Sequence, residues 1–130
     1  MTIVAGFIPN QYGQAALAAG IAEARLRNQK LMVVNATKGD AWVDTHFASE
    51  DQVASVEAEL ANLEQGHEVR QSDGSDIAEQ ILAVVRETDA SLLVIGIRHR
   101  TPIGKMFMGS TAQTLLLDCP CPVLAVKAAQ

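Results

Sequence analysis

The chain is predicted to be α/β: a single doubly wound domain with a five-stranded parallel sheet in the order 3-2-1-4-5 and helices on both faces. Short continuous apolar runs, such as Leu31–Val34 and Leu92–Ile97, read as strands buried on both faces. Segments with helical periodicity alternate with them, giving β-α-β-α-β-α-β-α-β, the pattern of a parallel sheet covered on both sides. Right-handed crossovers then leave few arrangements, of which 3-2-1-4-5 is the natural one.

The elements follow in order. Thr2–Phe7 is the first strand, and Pro9-Asn10 ends it, with Asn10 placed to cap a helix. Residues Gln11 to Asn28 are alanine-rich, with Leu17, Ile21 and Ala24 along one helical face. Arg25 and Arg27 fall in the last turn of that helix, where cations suit the dipole. Leu31–Val34 is the second strand, ending at Asn35-Ala36. Thr37 to Ala48 is polar and irregular, a long loop of the kind that is often functional. Ser49-Glu50-Asp51-Gln52 is a capping box opening a helix with the stripe Val53, Val56, Leu60 and Leu63, which Gly66 closes. His67–Gln71 is a short, more polar strand and belongs nearer an edge. After the turn Asp73-Gly74-Ser75-Asp76 comes a helix with Ile77, Ile81, Val84 and Val85 on one face. The strand Leu92–Ile97, a glycine-punctuated loop, and a helix from Ser110 to Leu117 follow. Pro120 and Pro122 bracket the exit into the last strand, Val123–Val126.

Composition narrows the function classes. The 130 residues suffice to bury a core without staples, and with 48% hydrophobic but 4% aromatic residues that core is aliphatic. A net charge of −5 disfavours a broad nucleic-acid surface. The N-terminus lacks the basic region of a signal peptide, and no run reaches the roughly 18 apolar residues of a membrane span. A cytoplasmic location is therefore expected. Cys119-Pro120-Cys121 matches neither a C-x-x-C redox pair nor a zinc half-site, so its thiols read as small buried hydrophobes.

The chemistry concentrates in residues 96 to 111. A strand, a glycine-containing loop and a helix start form an anion site, because amides without intrahelical partners point outward and the dipole favours negative charge. Ser110-Thr111-Ala112-Gln113 has the form of a capping box, and Arg98, Arg100 and Lys105 add cations to the loop. Topology agrees, since ligands in such sheets bind beyond the carboxyl ends of the strands at the switch between strands 1 and 4. The residues there are Phe7-Ile8-Pro9-Asn10 and Arg98 to Ser110.

Over essentially its whole length the chain resembles the universal stress protein family. The resemblance rests on Gly96 through Ser110 and on Cys119-Pro120-Cys121-Pro122-Val123-Leu124-Ala125-Val126-Lys127. Nucleotide-binding members carry a Gly, two residues, a second Gly, nine residues, then Gly-Ser or Gly-Thr; Gly96 and Gly109-Ser110 stand at that spacing, and His99 replaces the second glycine. Binding members also carry an Asp after the first strand, where this chain has Phe7. The resemblance implies ATP or a related adenine nucleotide, with or without Mg2+, bound by a homodimeric regulator. Its phosphates would lie on the amides of Gly109, Ser110 and Thr111 with help from Arg98 and Arg100. Its base would lie near Phe7, Ile8, Pro9 and Ala36, with Gly96 and His99 shaping the loop. It also implies dimerisation through Val123, Leu124, Ala125 and Val126, an apolar edge that would be an aggregation hazard if left unpaired.

Competing readings are set beside these. No nucleophile or base is arranged for turnover, so no catalytic residue is assigned and any hydrolysis would be slow and incidental; His99 has no carboxylate beside it. Asp40, Asp44 and His46 read as solvated loop residues rather than metal ligands. Trp42 and Phe47 read as cover for the sheet edge or a helix rather than for a cofactor, and Met106-Phe107-Met108 as packing under the last helix rather than as the lining of an adenine pocket. The alternative function is a nucleotide-independent dimeric scaffold on the same fold, which the His99 and Phe7 departures favour. A flavin carrier would need an aromatic-rich loop that the sequence does not show.

Overall fold

The computed structural model describes residues 1–37, 48–74, 76–97 and 109–128. Nine elements follow one another: β1 (Thr2–Gly6), α1 (Gln11–Arg27), β2 (Lys30–Thr37), α2 (Glu50–Leu60), β3 (His67–Asp73), α3 (Ile77–Thr88), β4 (Leu92–Ile97), α4 (Ser110–Asp118) and β5 (Val123–Lys127). The strands form one sheet in the order β3-β2-β1-β4-β5, with every pairing parallel. This is the predicted order, and the polar β3 lies at an edge as expected.

Strand periodicity divides the core into two layers. Ile3 and Ala5, Leu31 and Val33, and Leu92 and Val94 pack with Ala16, Leu17 and Ala24 of α1 and Val56 and Leu60 of α2. The intervening residues Val4, Met32, Val34, Leu93 and Ile95 pack on the other face with Ile81, Leu82 and Val85 of α3 and Leu115 of α4. Burial on both faces is why these strands read as unbroken apolar runs.

Caps set the helix boundaries. Asn10 accepts from the amides of Tyr12 and Gly13 at 2.9 and 3.1 Å and so opens α1. Ser49 and Gln52 form the predicted reciprocal box, and Asp76 caps α3 by accepting from the Glu79 amide at 3.1 Å. Asn28 and Asp89 close α1 and α3 in the left-handed region, at φ 55° and 49°.

Several expectations are corrected. β2 runs on to Thr37, because Asn35, Ala36 and Thr37 pair with Gln71, Ser72 and Asp73 of β3. α2 ends at Leu60 rather than near Gly66, and Leu63 is buried in the turn beyond it. The buried face of α1 is Gly13, Ala16, Leu17, Gly20 and Ala24, with Ile21 only partly covered. The box at Ser110–Gln113 does not form. Gly109, extended at φ −62° and ψ 157°, takes the N-cap position with no side-chain cap, and its carbonyl accepts from the Gln113 amide at 3.1 Å. Ser110 is thus one residue too late to cap.

Candidate functional site

At the carboxyl ends of β1 and β4 the sheet changes winding direction, and a cleft of about 310 Å³ opens there. Its walls are mainly apolar. Gly6, Phe7 and Ile8 come from the end of β1, Val34 and Ala36 from β2, Ile95, Gly96 and Ile97 from β4. Ile77 and Ile81 of α3 and Thr111, Ala112 and Leu115 of α4 complete it, with Gly109 at the start of α4. The size falls in the range of small-molecule sites.

Two close backbone approaches build this end of the molecule. A Cβ on Gly13 would lie 1.7 Å from the Ile8 carbonyl oxygen, so glycine lets the turn after β1 fold onto the first turn of α1. A Cβ on Gly96 would lie 2.1 Å from the Tyr12 carbonyl oxygen, so glycine also lets β4 pass under that helix. The turn is held from β2 as well. The Phe7 amide donates to the Val34 carbonyl at 2.8 Å, and the buried Asn35 Nδ2 donates to the Phe7 carbonyl at 2.8 Å. The Asn35 Oδ1 accepts from the Ala48 amide at 2.8 Å and from Gln71 Nε2 at 3.1 Å, tying Ala48 and β3 to the same point.

Three helices begin at this cleft, and they differ: α3, whose first residue Ile77 lines it, is capped by Asp76, which accepts from the Glu79 amide. The amides of Tyr12 and Gly13 in α1 are taken by Asn10. Among the described residues the first turn of α4 has no side-chain cap, and Gly109 is exposed with open space where a Cβ would stand. Among the described residues, the amide end of α4 is therefore the helix start at this cleft whose leading amides no side chain caps, and a helix start of that kind suits an anion.

Of the residues singled out from sequence, Phe7, Ile8, Ala36, Gly96, Gly109 and Thr111 line this cleft. Phe7 is 4% exposed and packs with Ile3 and Leu17 in the core, so it serves as wall rather than as a broad stacking face. Pro9 lies instead on a neighbouring groove, with Gln14, Asp51 and Ser55. Ser110 is exposed beside the cleft at the first helical position. Arg98, His99, Arg100, Gly104, Lys105 and the Met106–Met108 run lie outside the described residues, as do Asp40, Trp42, Asp44, His46 and Phe47. Sequence reasoning passed over Gly6, Gly13, Tyr12, Ile77, Ile81 and Ile95. The isoleucines carry the same periodic signal as any core residue, and Asn10 followed at three by a glycine was the available sign of the tight turn.

Among the described residues, the groups whose proton affinity is clearly altered, Arg70 and Cys121, do not line the cleft. Hydrogen bonds to Glu87 at 2.7 Å and Glu68 at 3.1 Å raise the Arg70 guanidinium further above its ordinary value. Burial, and then contact with Cys119, pushes the Cys121 thiol up to about 11. Among the described residues no three His, Cys, Asp or Glu side chains gather as a metal site.

The sequence pattern of the universal stress protein family matches residues 1–127. A universal stress protein of Mycolicibacterium smegmatis is 51% identical over 125 residues, 96% of each chain. A solved universal stress protein from Archaeoglobus fulgidus superposes with a TM-score of 0.81 at 26% identity, over 98% of both chains. A further structure, the Archaeoglobus fulgidus universal stress protein in complex with dAMP, superposes with a TM-score of 0.70 at 21% identity, again over 98% of both.

Proposed function

Because the chain belongs to the universal stress protein family, we propose that its cleft binds an adenine nucleotide and that the protein works as a homodimeric, cytoplasmic regulator. The observation that carries this is the start of α4, without a side-chain cap among the described residues, beside an apolar cleft at the switch point of the sheet. In this reading residues 1–130 form one nucleotide-binding domain. Ile95, Ile81 and Ala36 take the base, and the amides of Gly109, Ser110 and Thr111 take phosphate oxygens. Arg98, His99 and Arg100 supply donors from the loop that precedes them. ATP, with or without Mg2+, suits the cationic loop, and hydrolysis is slow and incidental. The dAMP complex of the Archaeoglobus fulgidus protein supports an adenine ligand. Dimerisation uses β5, whose residues Val123 to Val126 stay half-buried at an open edge of the sheet. Among the described residues no helix is long and apolar enough to cross a membrane.

A calorimetric titration with Mg-ATP, AMP and a flavin nucleotide tests the reading. Micromolar binding of Mg-ATP, weaker binding of AMP and no response to flavin are expected, in a protein that sediments as a dimer. Gly109→Val should weaken binding by about tenfold or more, equivalent to about 1.4 kcal/mol, while the fold persists, because a Cβ there meets none of the described residues. Unchanged affinity in that variant rejects the site assignment.

One observation favours a second reading, the nucleotide-independent dimeric scaffold. Gly96 is required by the approach of the Tyr12 carbonyl alone, so its presence is explained without a ligand. A silent titration at millimolar Mg-ATP, with the protein folded and dimeric, selects that reading.

A further inference from the structure

We propose that Cys119 and Cys121 form a dithiol that closes to an intramolecular disulfide by exchange with a low-molecular-weight disulfide. The two thiols are free and only partly buried, and their Sγ atoms lie 3.5 Å apart. Pro120 creates this arrangement. The residue before a proline is driven out of the helical region, and Cys119 is extended at φ −68° and ψ 129°. That ends α4 and brings the side chains two positions apart together. The backbone is tied on either side, the Cys119 amide donating to the Leu115 carbonyl at 3.0 Å and the Leu93 amide to the Pro122 carbonyl at 3.0 Å. Neither cysteine lines the cleft, so this site stands or falls independently of nucleotide binding.

A disulfide bond is about 2.05 Å long, so closure needs the sulfurs to approach by about 1.5 Å, a displacement within reach of side-chain rotation. The roles of the two thiols differ. Both pack partly buried against the α3–α4 layer, and burial together with contact with Cys119 makes Cys121 hold its proton. Cys119 is the attacking sulfur. It loses its proton to water, and its thiolate attacks one sulfur of the small disulfide. The Cys119–S bond forms, the small disulfide's S–S bond breaks, and one thiolate leaves. That thiolate takes the Cys121 proton. The Cys121 sulfur then attacks Cys119 Sγ, the mixed disulfide breaks, and the second small thiolate departs, taking a proton from water. One protein dithiol is oxidised by two electrons, and one small disulfide is reduced to two thiols.

The reduced full chain is incubated with oxidised glutathione, quenched with acid and weighed intact. The parent protein should lose two hydrogens and both titratable thiols without retaining an adduct. Cys121→Ser, which lacks the resolving thiol, should stop at one glutathione on Cys119. Cys119→Ser should react much more slowly than Cys121→Ser. A parent protein that keeps both thiols, accumulates glutathione, or links two chains overturns the proposal. So does a Cys119→Ser variant that reacts as fast as Cys121→Ser.

Discussion

A methyl group on Gly96 would sit 2.1 Å from the Tyr12 carbonyl oxygen, and one on Gly13 would sit 1.7 Å from that of Ile8. Both obstacles are backbone, so neither can swing aside. Gly96→Ala and Gly13→Ala should each destabilise by about 2–4 kcal/mol in denaturant titrations, at the upper end of overpacking costs. Gly109 is a different kind of glycine. Its φ of −62° is open to any residue and nothing described crowds it, so Gly109→Ala should cost at most about 1 kcal/mol, the price of a poorer N-cap residue. The contrast separates glycines the fold requires from one whose smallness leaves room beside α4. Cys121 carries a residue-scale pH effect. Burial raises its thiol from the ordinary 9.0 to about 11, so the native state holds the proton more tightly than the unfolded chain. The resulting stabilisation is fully present below pH 9.0 and disappears as pH rises through about 11. Cys121→Ser should therefore lose less stability than the parent between those pH values, as read by unfolding midpoints.

At the scale of elements the caps decide. Asp76 accepts from the Glu79 amide at 3.1 Å, so Asp76→Ala should cost about 1 kcal/mol. Ser110→Ala should change stability by no more than about 0.5 kcal/mol, because Gly109 rather than Ser110 holds the N-cap position of α4. Equal losses in thermal unfolding of the two variants would contradict these assignments. Ser110 also shows where sequence reading was one residue out. A serine followed at three by glutamine carries a capping signal, but the extended glycine before it already provides the N-cap. The strands were legible because burial on both faces leaves unbroken apolar runs. The end of β2 was not, since Asn35 and Thr37 are polar and buried with partners far along the chain: Phe7 and Gln71 for the Asn35 side chain, and Gln80 Nε2, which donates to the Thr37 carbonyl. The packing face of α1 was only half legible, because Gly13, Ala16 and Gly20 contribute shape rather than hydrophobicity. Gly96 and Gly109 could be placed from their spacing, whereas Ile81 and Ile95 could not be told from core until the sheet brought them to the cleft.

For the whole molecule, winding order and helix polarity converge on one place. The sheet switches direction between β1 and β4, both ends contribute to the same cleft, and α4 enters it amide end first. The α1 start stands there too, but Asn10 already occupies its leading amides. The proposed division of labour follows: α1 is held to the sheet through the Gly13 and Gly96 contacts, and the α4 start, uncapped among the described residues, serves the ligand. The measurement that tests this most directly is a backbone amide NMR titration of the full chain with Mg-ATP. The account predicts the largest shifts at Gly109, Ser110 and Thr111, with smaller ones at Gly6, Ala36 and Gly96. Saturating shifts confined to other surfaces, or none at millimolar Mg-ATP in a folded protein, would contradict it.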